Sequence, residues 1–247
     1  IIMNKTAIII PTRLKASRLP NKPLELINNK EMILHVYEAA KKTNSGEVYV
    51  ATPDKKIIEL ISNNGGKAIL TSSEHQTGTD RIYEVFKDHL NSEPNIIVNL
   101  QGDMPNIDPR SITELISYMD KKNCDIGTLA SSFASKTELL DENNVKVAVK
   151  NELSNNQYDQ AIDFFRIDTK KHKNFYHHVG IYAFTSEALV RYVELKRSRL
   201  EIERKLEQMR ALENSMTIHV GYINSSPLSV DTKVDLMEVR KIMKKDE

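Results

Sequence analysis

The sequence predicts an α/β protein with a mainly parallel sheet flanked by helices and a smaller antiparallel lobe inserted into it. Short apolar runs recur at 6–11, 48–52, 68–71, 96–101 and 125–133. Between most of them lie helical patterns, Met32 to Lys42, Lys55 to Asn63, Arg81 to Leu90 and Arg110 to Lys121. That alternation favours parallel strands with helices on both faces. Beyond residue 134 the rhythm changes, and strand-like segments follow one another without intervening helices.

Thr6 to Ile10 is an uninterrupted apolar run, the pattern of a buried strand. Gly65-Gly66 ends the second helical pattern, and Pro109 suits the first turn of the fourth. In the second half, Val145 to Val149 alternates, Ala161 to Arg166 is short, and Phe175 to Thr185 is a long strand candidate. Leu200 to Asn214 reads as helix, Thr217 to Ile223 as a returning strand, and Asp235 to Lys245 as a closing helix. The Asn- and Lys-rich loops at 150–160 and 168–174 are expected to be the most mobile segments. We expect one domain over 3–247 with the lobe near 134–215, and Ile1-Ile2 read as residues preceding the natural start at Met3.

A chain of 247 residues supports one large α/β core. With 35 basic and 34 acidic residues and a formal charge of +1, no global field draws it to nucleic acid or membrane. Its one cysteine, Cys124, leaves no internal disulfide and no cysteine-rich metal site. No apolar stretch approaches the roughly 18 residues of a membrane helix, and a strand stands where a signal peptide would need its apolar segment. The expectation is a soluble cytoplasmic protein with neither nucleic-acid nor membrane partners.

The most informative segment follows the first strand. Pro11, Thr12, Arg13, Lys15, Arg18, Pro20, Lys22 and Pro23 place four cations within ten residues, in a stretch that prolines keep from becoming helix. Open α/β sheets bind ligands at the carboxyl ends of their strands. Neither GxGxxG nor GKS/T is present, so arginine and lysine must supply the field that a triphosphate needs. Read by itself, such a cluster also fits a solvated surface loop.

Two further strings carry chemistry. Ile96-Ile97-Val98-Asn99-Leu100-Gln101-Gly102-Asp103 is a buried strand ending in polar residues, with Asp103 placed to hold Mg²⁺ beside phosphates, or to serve as an ordinary turn aspartate. His75-Gln76-Thr77-Gly78-Thr79-Asp80-Arg81 offers hydroxyls, a glycine and amides leading into a helix. It suits a base or ribose, and equally an N-capping loop.

Together these strings resemble the nucleotidyltransferase family that makes CMP-activated acid sugars, most closely its 3-deoxy-manno-octulosonate (Kdo) cytidylyltransferase branch. The first loop resembles P-A-R-x-x-S-x-R-L-P-x-K-P-L at Pro11, Arg13, Ser17, Arg18, Leu19, Pro20, Lys22, Pro23 and Leu24, departing at Thr12 and Leu14. Gln101-Gly102-Asp103-Met104-Pro105 is similar to Q-G-D-E-P, with Met104 for Glu. His75 to Arg81 is similar to H-x-S-G-T-x-R, and Ala51-Thr52-Pro53-Asp54 to A-T-D, with Pro53 displacing the Asp. In the second half, Phe164-Phe165-Arg166 resembles F-S-R, His177 to Tyr182 resembles H-x-G-I-Y, and Leu206 to Arg210 resembles L-E-Q-L-R. Ser229 to Leu236 resembles V-D-T-P-E-D-L, with Lys233 and Val234 for Pro-Glu.

The resemblance implies a GT-A-like, Rossmann-like fold and transfer of CMP from CTP to the anomeric hydroxyl of Kdo, releasing pyrophosphate, for lipopolysaccharide biosynthesis. It implies catalytic roles for Arg13, Lys22, Asp103 and Asp231, with Mg²⁺ held by Asp103 and Asp231. Nucleotide contacts fall to Pro11, Thr12, Arg13, Arg18, Lys22, Thr77, Gly78, Thr79, Arg81 and Gln101. Sugar contacts fall to Arg166, His178, Tyr182, Glu207 and Gln208, and a homodimer through the second lobe is implied. Asp235 reads as first-turn helix charge. Another acid sugar, such as sialic acid or an 8-amino Kdo analogue, and a diverged, weakly active binding protein are the alternatives; Pro53, Met104 and Phe165 keep the latter open.

Overall fold

Residues 6–11, apolar on both faces, form strand β1 (Thr6–Pro11), every residue of which is buried. The computed structural model describes residues 5–15, 18–155, 157–167 and 172–244; Ser17, part of the 150–160 and 168–174 loops, and Lys245 lie outside the described residues. In chain order there follow β2 (Leu26–Ile27), β3 (Lys30–Glu31), α1 (Met32–Lys42), β4 (Glu47–Thr52), α2 (Lys55–Asn63), β5 (Ala68–Leu70), α3 (Gly78–Glu84), β6 (Ile96–Asn99) and α4 (Pro109–Lys121). Then come β7 (Ile126–Ser131), α5 (Lys136–Leu140), β8 (Lys146–Val149), β9 (Tyr158–Phe165), β10 (Phe175–Thr185), α6 (Ser186–Glu194), α7 (Arg199–Arg204), α8 (Met209–Glu213), β11 (Ile218–Tyr222) and α9 (Lys233–Lys244). Two compact units result, Ile1–Ile116 with Pro227–Glu247, and Ser117–Ser226.

In the first unit β1 pairs in parallel with β4 and with β6, and β4 pairs in parallel with β5. All four strands therefore end at one edge, where ligands bind in open α/β sheets. Helix α2 buries Ile57 and Ile61, one turn apart, and ends in a Schellman pair, Gly66 N–H to Ile61 O at 2.8 Å and Gly65 N–H to Ser62 O at 3.0 Å. Helix α3 begins earlier than its periodicity predicts and gives way to a π turn over Val85–His89. A separate cluster of Leu19, Ile27, Met32, Val230, Leu236 and Val239 buries residues of the first loop together with the segment before α9.

The second unit carries antiparallel strands, as expected beyond residue 134, and they extend to the pairing of β7, which the sequence pattern groups with the parallel strands. β10 runs antiparallel to β7 and β8, β9 runs antiparallel to β8 and β11, and among the described residues of this unit only β7 with β11 is parallel. The chain is thus a mixed α/β protein. Short connections between β8, β9 and β10 favour antiparallel neighbours, because parallel pairing needs a crossover of a dozen residues or more.

Leu200 to Asn214 is not one helix. It breaks at Lys205, which sits at φ 54° between α7 and α8. The Arg210 guanidinium grips the buried Glu201 carboxylate at 2.9 and 2.7 Å. Nine residues of straight helix would separate the two by roughly 13 Å, so this buried pair requires the chain to fold back. The hairpin β2–β3 and helices α5 and α6 are too short, or too irregular in pattern, to have been predicted. Among the described residues no helix is long and apolar enough to cross a membrane.

Candidate active site

The loop after β1 is fixed before it reaches any ligand. Thr12 N–H donates to Ala51 O at 3.0 Å, and Asn21 N–H donates to Leu14 O at 3.1 Å. Asn21 takes φ 57°, and a single 3₁₀ turn, Lys22–Leu24, follows with Pro23 buried. Leu19 is 2% exposed in the hydrophobic cluster, which leaves its neighbour Arg18 outside. A run of prolines and basic residues is thereby shaped into a walled site.

Two cavities lie along this loop, of about 230 Å³ and about 800 Å³. The smaller is lined by Pro11, Thr12, Arg13, Lys22, Thr77, Gly78, Arg81, Gln101 and Asp103 among others. Arg13, Lys22, His75 and Gln76 line both, and Lys15, Arg18 and Asp231 belong to the larger. Three separate strings of the sequence therefore meet at the carboxyl edge of β1 and β6.

At the centre stands Lys22. Its ammonium donates to Asp103 Oδ2 at 3.0 Å and to Asp231 Oδ1 at 3.3 Å. Burial alone would lower the lysine pKa, but attraction to both carboxylates outweighs it and the net shift is upward. Arg18 adds a second cation, 3.2 Å from Asp231 Oδ2. Asp231 is held in turn because Val230 is buried and donates its amide to Asp103 O at 2.9 Å. Asp235 accepts from the Asp231 and Thr232 amides at 3.0 and 2.7 Å, while Thr232 Oγ1 accepts from Asp235 N–H at 3.2 Å. This reciprocal cap is the first-turn role expected for Asp235.

Among the described residues no three His, Cys, Asp or Glu side chains gather as a metal cage. The two aspartates nonetheless fit magnesium, which commonly takes one or two carboxylates and keeps several waters. Both direct oxygen atoms at a single cation, here the lysine ammonium.

The 75–81 string divides into lining and support. Thr77 caps α3, accepting from Asp80 N–H at 3.1 Å and donating to its carboxylate at 2.8 Å. Gly78 abuts β1, where an added Cβ would lie 3.2 Å from Pro11. Arg81 is 3% exposed, and its guanidinium donates to Thr71 Oγ1 at 2.5 Å and Ser72 O at 2.8 Å. Burial and the neighbouring Arg13 charge depress its pKa. Thr79 is buried and sits at the end of a relay, Gln101 Nε2 to Asn99 Oδ1 at 3.1 Å and Asn99 Nδ2 to Thr79 Oγ1 at 3.4 Å. Asn99 was missed as a site residue, although an Asn inside an apolar strand is a visible signal. Met104 is 3% exposed and packs inward.

In the second unit three of the expected residues lie close together. His178 is buried and 5.4 Å, ring to ring, from Tyr182, whose pKa is raised by burial and by the Glu207 charge. Thr128 Oγ1 lies 2.6 Å from Ile181 O and must donate there, so His178 Nε2 donates to that oxygen at 2.9 Å. Burial, with the neighbouring His177, pushes His178 down to about 3. Gln208 is the N-cap residue of α8, beside Glu207, whose carbonyl accepts from Tyr192 Oη at 2.9 Å. Arg166 stands elsewhere in the hydrogen-bond pattern, donating to Glu142 O at 3.1 Å and Asn143 O at 2.8 Å. An unforeseen arginine, Arg204, holds Asp163 at 2.5 Å and Phe164 O at 2.6 Å.

A mixed α/β fold with a cation-lined cavity and a carboxylate pair at its parallel-strand edge defines a nucleotidyltransferase. The chain belongs to the cytidylyltransferase family, whose model, described as cytidylyltransferase, matches residues 7–218. It is 41% identical over 239 residues to the 3-deoxy-manno-octulosonate cytidylyltransferase of Bartonella henselae, covering 96% of this chain and 97% of that one. The protein of the same name from Brucella canis is 40% identical over 238 residues, covering 96% and 94%. A solved structure of CMP:2-keto-3-deoxy-manno-octonic acid synthetase complexed with CTP superposes with a TM-score of 0.87 at 36% identity, covering 98% of this chain and 100% of that one. A cytidylyltransferase structure from Leptospira borgpetersenii, at 18% identity and TM-score 0.64, shares the fold.

Proposed function

We propose that this enzyme transfers CMP from CTP to the anomeric hydroxyl of 3-deoxy-D-manno-octulosonate and releases pyrophosphate, a step in lipopolysaccharide biosynthesis. The observation that carries the reading is the convergence of Lys22, Asp103 and Asp231 beside Arg13 at the edge of the parallel sheet. It stands in a chain closely related, over nearly its whole length, to proteins named for that reaction.

Arg13, Arg18 and Lys22 are assigned to the triphosphate and to the charge that grows on departing pyrophosphate. Little covalent work is left for the protein, so position and field do most of the catalysis. Asp103 and Asp231 are assigned to Mg²⁺, which when bound supplies Lewis-acid polarisation of phosphate and sugar oxygens. Thr12, Pro11 and Gly78 shape the cavity wall. Thr77 and Arg81 line it too, and buried Thr79 supports it from behind.

Gln101 is assigned to the base. Its side chain lines the smaller cavity and its amide nitrogen donates to Asn99 Oδ1 at 3.1 Å, and the assignment gives its carbonyl oxygen to the base. An acceptor reads the cytosine amino group and opposes the uracil oxygen at the same position. A hydrogen-bonded site of this kind rejects the wrong partner by several kcal/mol, on the order of 10⁴-fold in the best cases.

Arg166, His178, Tyr182, Glu207 and Gln208 are assigned to the sugar acid. The same reading takes the fold as GT-A-like, the 134–215 region as the sugar-binding and dimerisation lobe, and the enzyme as a cytoplasmic homodimer. The test is pyrophosphate release with and without magnesium, over CTP and UTP and over Kdo, sialic acid and an 8-amino Kdo analogue. Turnover confined to CTP and Kdo supports the assignment. Comparable turnover with UTP would sink the base assignment, and preference for another acid would move the sugar.

A further inference from the structure

Asp54 occupies the N-cap of α2, yet its side chain makes no capping bond to that helix. An N-cap carboxylate ordinarily accepts from an amide in the first turn of its own helix. Here Asp54 Oδ2 accepts instead from the amide of Leu14, 40 positions earlier, at 2.8 Å. The carboxylate is held in place because its own amide donates to Thr52 Oγ1 at 3.2 Å, and Thr52 is fully buried. Pro53, between them, has its φ fixed by the ring.

The peptide units around Leu14 join the two halves of the basic loop. Leu14 N–H is held by Asp54, and Leu14 O accepts from Asn21 N–H at 3.1 Å. Arg13 immediately precedes this anchor, and Lys22 immediately follows Asn21. Thr12 N–H, bound to Ala51 O at 3.0 Å, adds a second tie to the end of β4. Arg13 is thus bonded directly to the pinned residue, and Lys22 follows the residue hydrogen-bonded to it.

We infer that Asp54 is a positioning residue for the nucleotide: by accepting the Leu14 amide it pre-organises Arg13 and Lys22 to receive the triphosphate. This deepens the proposed function and rests on it for the identity of the nucleotide. Pre-organisation lowers the cost of ordering these side chains on binding. The contribution belongs to the hydrogen bond, because the geometry requires an acceptor at that point and not a charge. Asp54 also lies in the field of Arg81, so the test must separate acceptor from charge.

Asp54→Asn keeps an acceptor oxygen and removes the charge, whereas Asp54→Ala removes both. Two readouts are taken: hydrogen exchange at the Leu14 amide in the free protein, and CTP affinity by calorimetry with magnesium. Asp54→Ala is expected to lose Leu14 protection and weaken CTP about tenfold, or ~1.4 kcal/mol, with KM for the sugar acid within about twofold. Asp54→Asn is expected to retain protection and stay within about threefold of the parent for CTP. An unprotected Leu14 amide in the parent protein overturns the inference without recourse to any variant. Equal damage from both substitutions, or CTP affinity within about twofold in Asp54→Ala, also overturns it. If CTP is not the nucleotide, no variant binds it while the exchange data still report the anchor, so the two failures are told apart.

Discussion

Val230 donates its amide to the carbonyl oxygen of Asp103 at 2.9 Å, and this one backbone bond ties the segment before α9 to the loop after β6. The carboxylates of Asp103 and Asp231 consequently share the Lys22 ammonium at 3.0 and 3.3 Å. The two aspartates are brought together by contacts between segments more than a hundred positions apart in sequence. Buried Val230 and Leu19, in one hydrophobic cluster, hold both sides of the site together.

Asp103→Asn and Asp231→Asn should each reduce kcat by about a hundredfold or more, roughly 3 kcal/mol. The double variant should be little worse than either single one, because residues acting as a unit are not additive. Steady-state kinetics at saturating magnesium checks this, with circular dichroism to show that the fold survives. Near-parental turnover in either single variant would refute a shared metal.

Met104→Glu places a carboxyl where the present side chain is 3% exposed. Burying it without a dedicated partner should cost about 1–3 kcal/mol of stability. Desolvation raises the pKa of such a carboxyl above its unfolded value, so the penalty falls on the ionised form and should shrink as pH drops toward the ordinary carboxylate range. Meanwhile kcat should change by less than about tenfold. Thermal denaturation at two pH values, beside kinetics, tests both halves. A gain in kcat of several orders of magnitude would favour the diverged, weakly active alternative.

Arg166→Ala should raise KM for the sugar acid far more than KM for CTP, by a charge-assisted contact worth about 1.5–3 kcal/mol. The residue also ties down the Glu142 and Asn143 carbonyls. Arg166→Lys, which keeps the charge and loses the fork, should recover part of the effect. Equal movement of both constants removes Arg166 from the sugar side.

His178 supplies a pH test. Its folded pKa lies near 3, below the usual value of about 6.5 for the unfolded chain. Between those limits the unfolded state binds the proton and the folded state does not. Stability is therefore lost as pH falls below about 6.5, by up to about 1.4 kcal/mol per unit. His178→Gln should flatten that part of the profile, although burial also depresses His177 and His219. Denaturant melts of parent and variant at pH 7.5 and 5 measure the difference. Parallel profiles would show that His178 is not buried neutral.

Much of the first unit was legible because its signals are local. The apolar hexapeptide of β1 and the periodicity of α1 and α2 gave the observed boundaries, and Gly65-Gly66 gave the end of α2. The basic loop, the Asp103 string and the 75–81 string were each readable as candidate sites. Thr77 and Arg81 line the smaller cavity, while the bonds that Thr77, Thr79 and Arg81 make to protein partners are shown by no string of letters. The break at Lys205 was hidden because a buried ion pair between Glu201 and Arg210 overrides a strong helical pattern.

By itself, the sequence determined the alternation of strands and helices, the concentration of cations after β1, and the family its motifs resemble. These follow from side-chain period, backbone restriction by proline and local chemistry, all of which act over a few residues. The tertiary structure alone decided that Asp103 and Asp231 converge on Lys22, that Asp54 pins Leu14, and that Asn99 reaches Thr79. Each of those pairings depends on strand order or on a core contact between distant segments. Whether a carboxylate caps its own helix or anchors another loop is settled by which unsatisfied donor the fold brings within 3 Å of it.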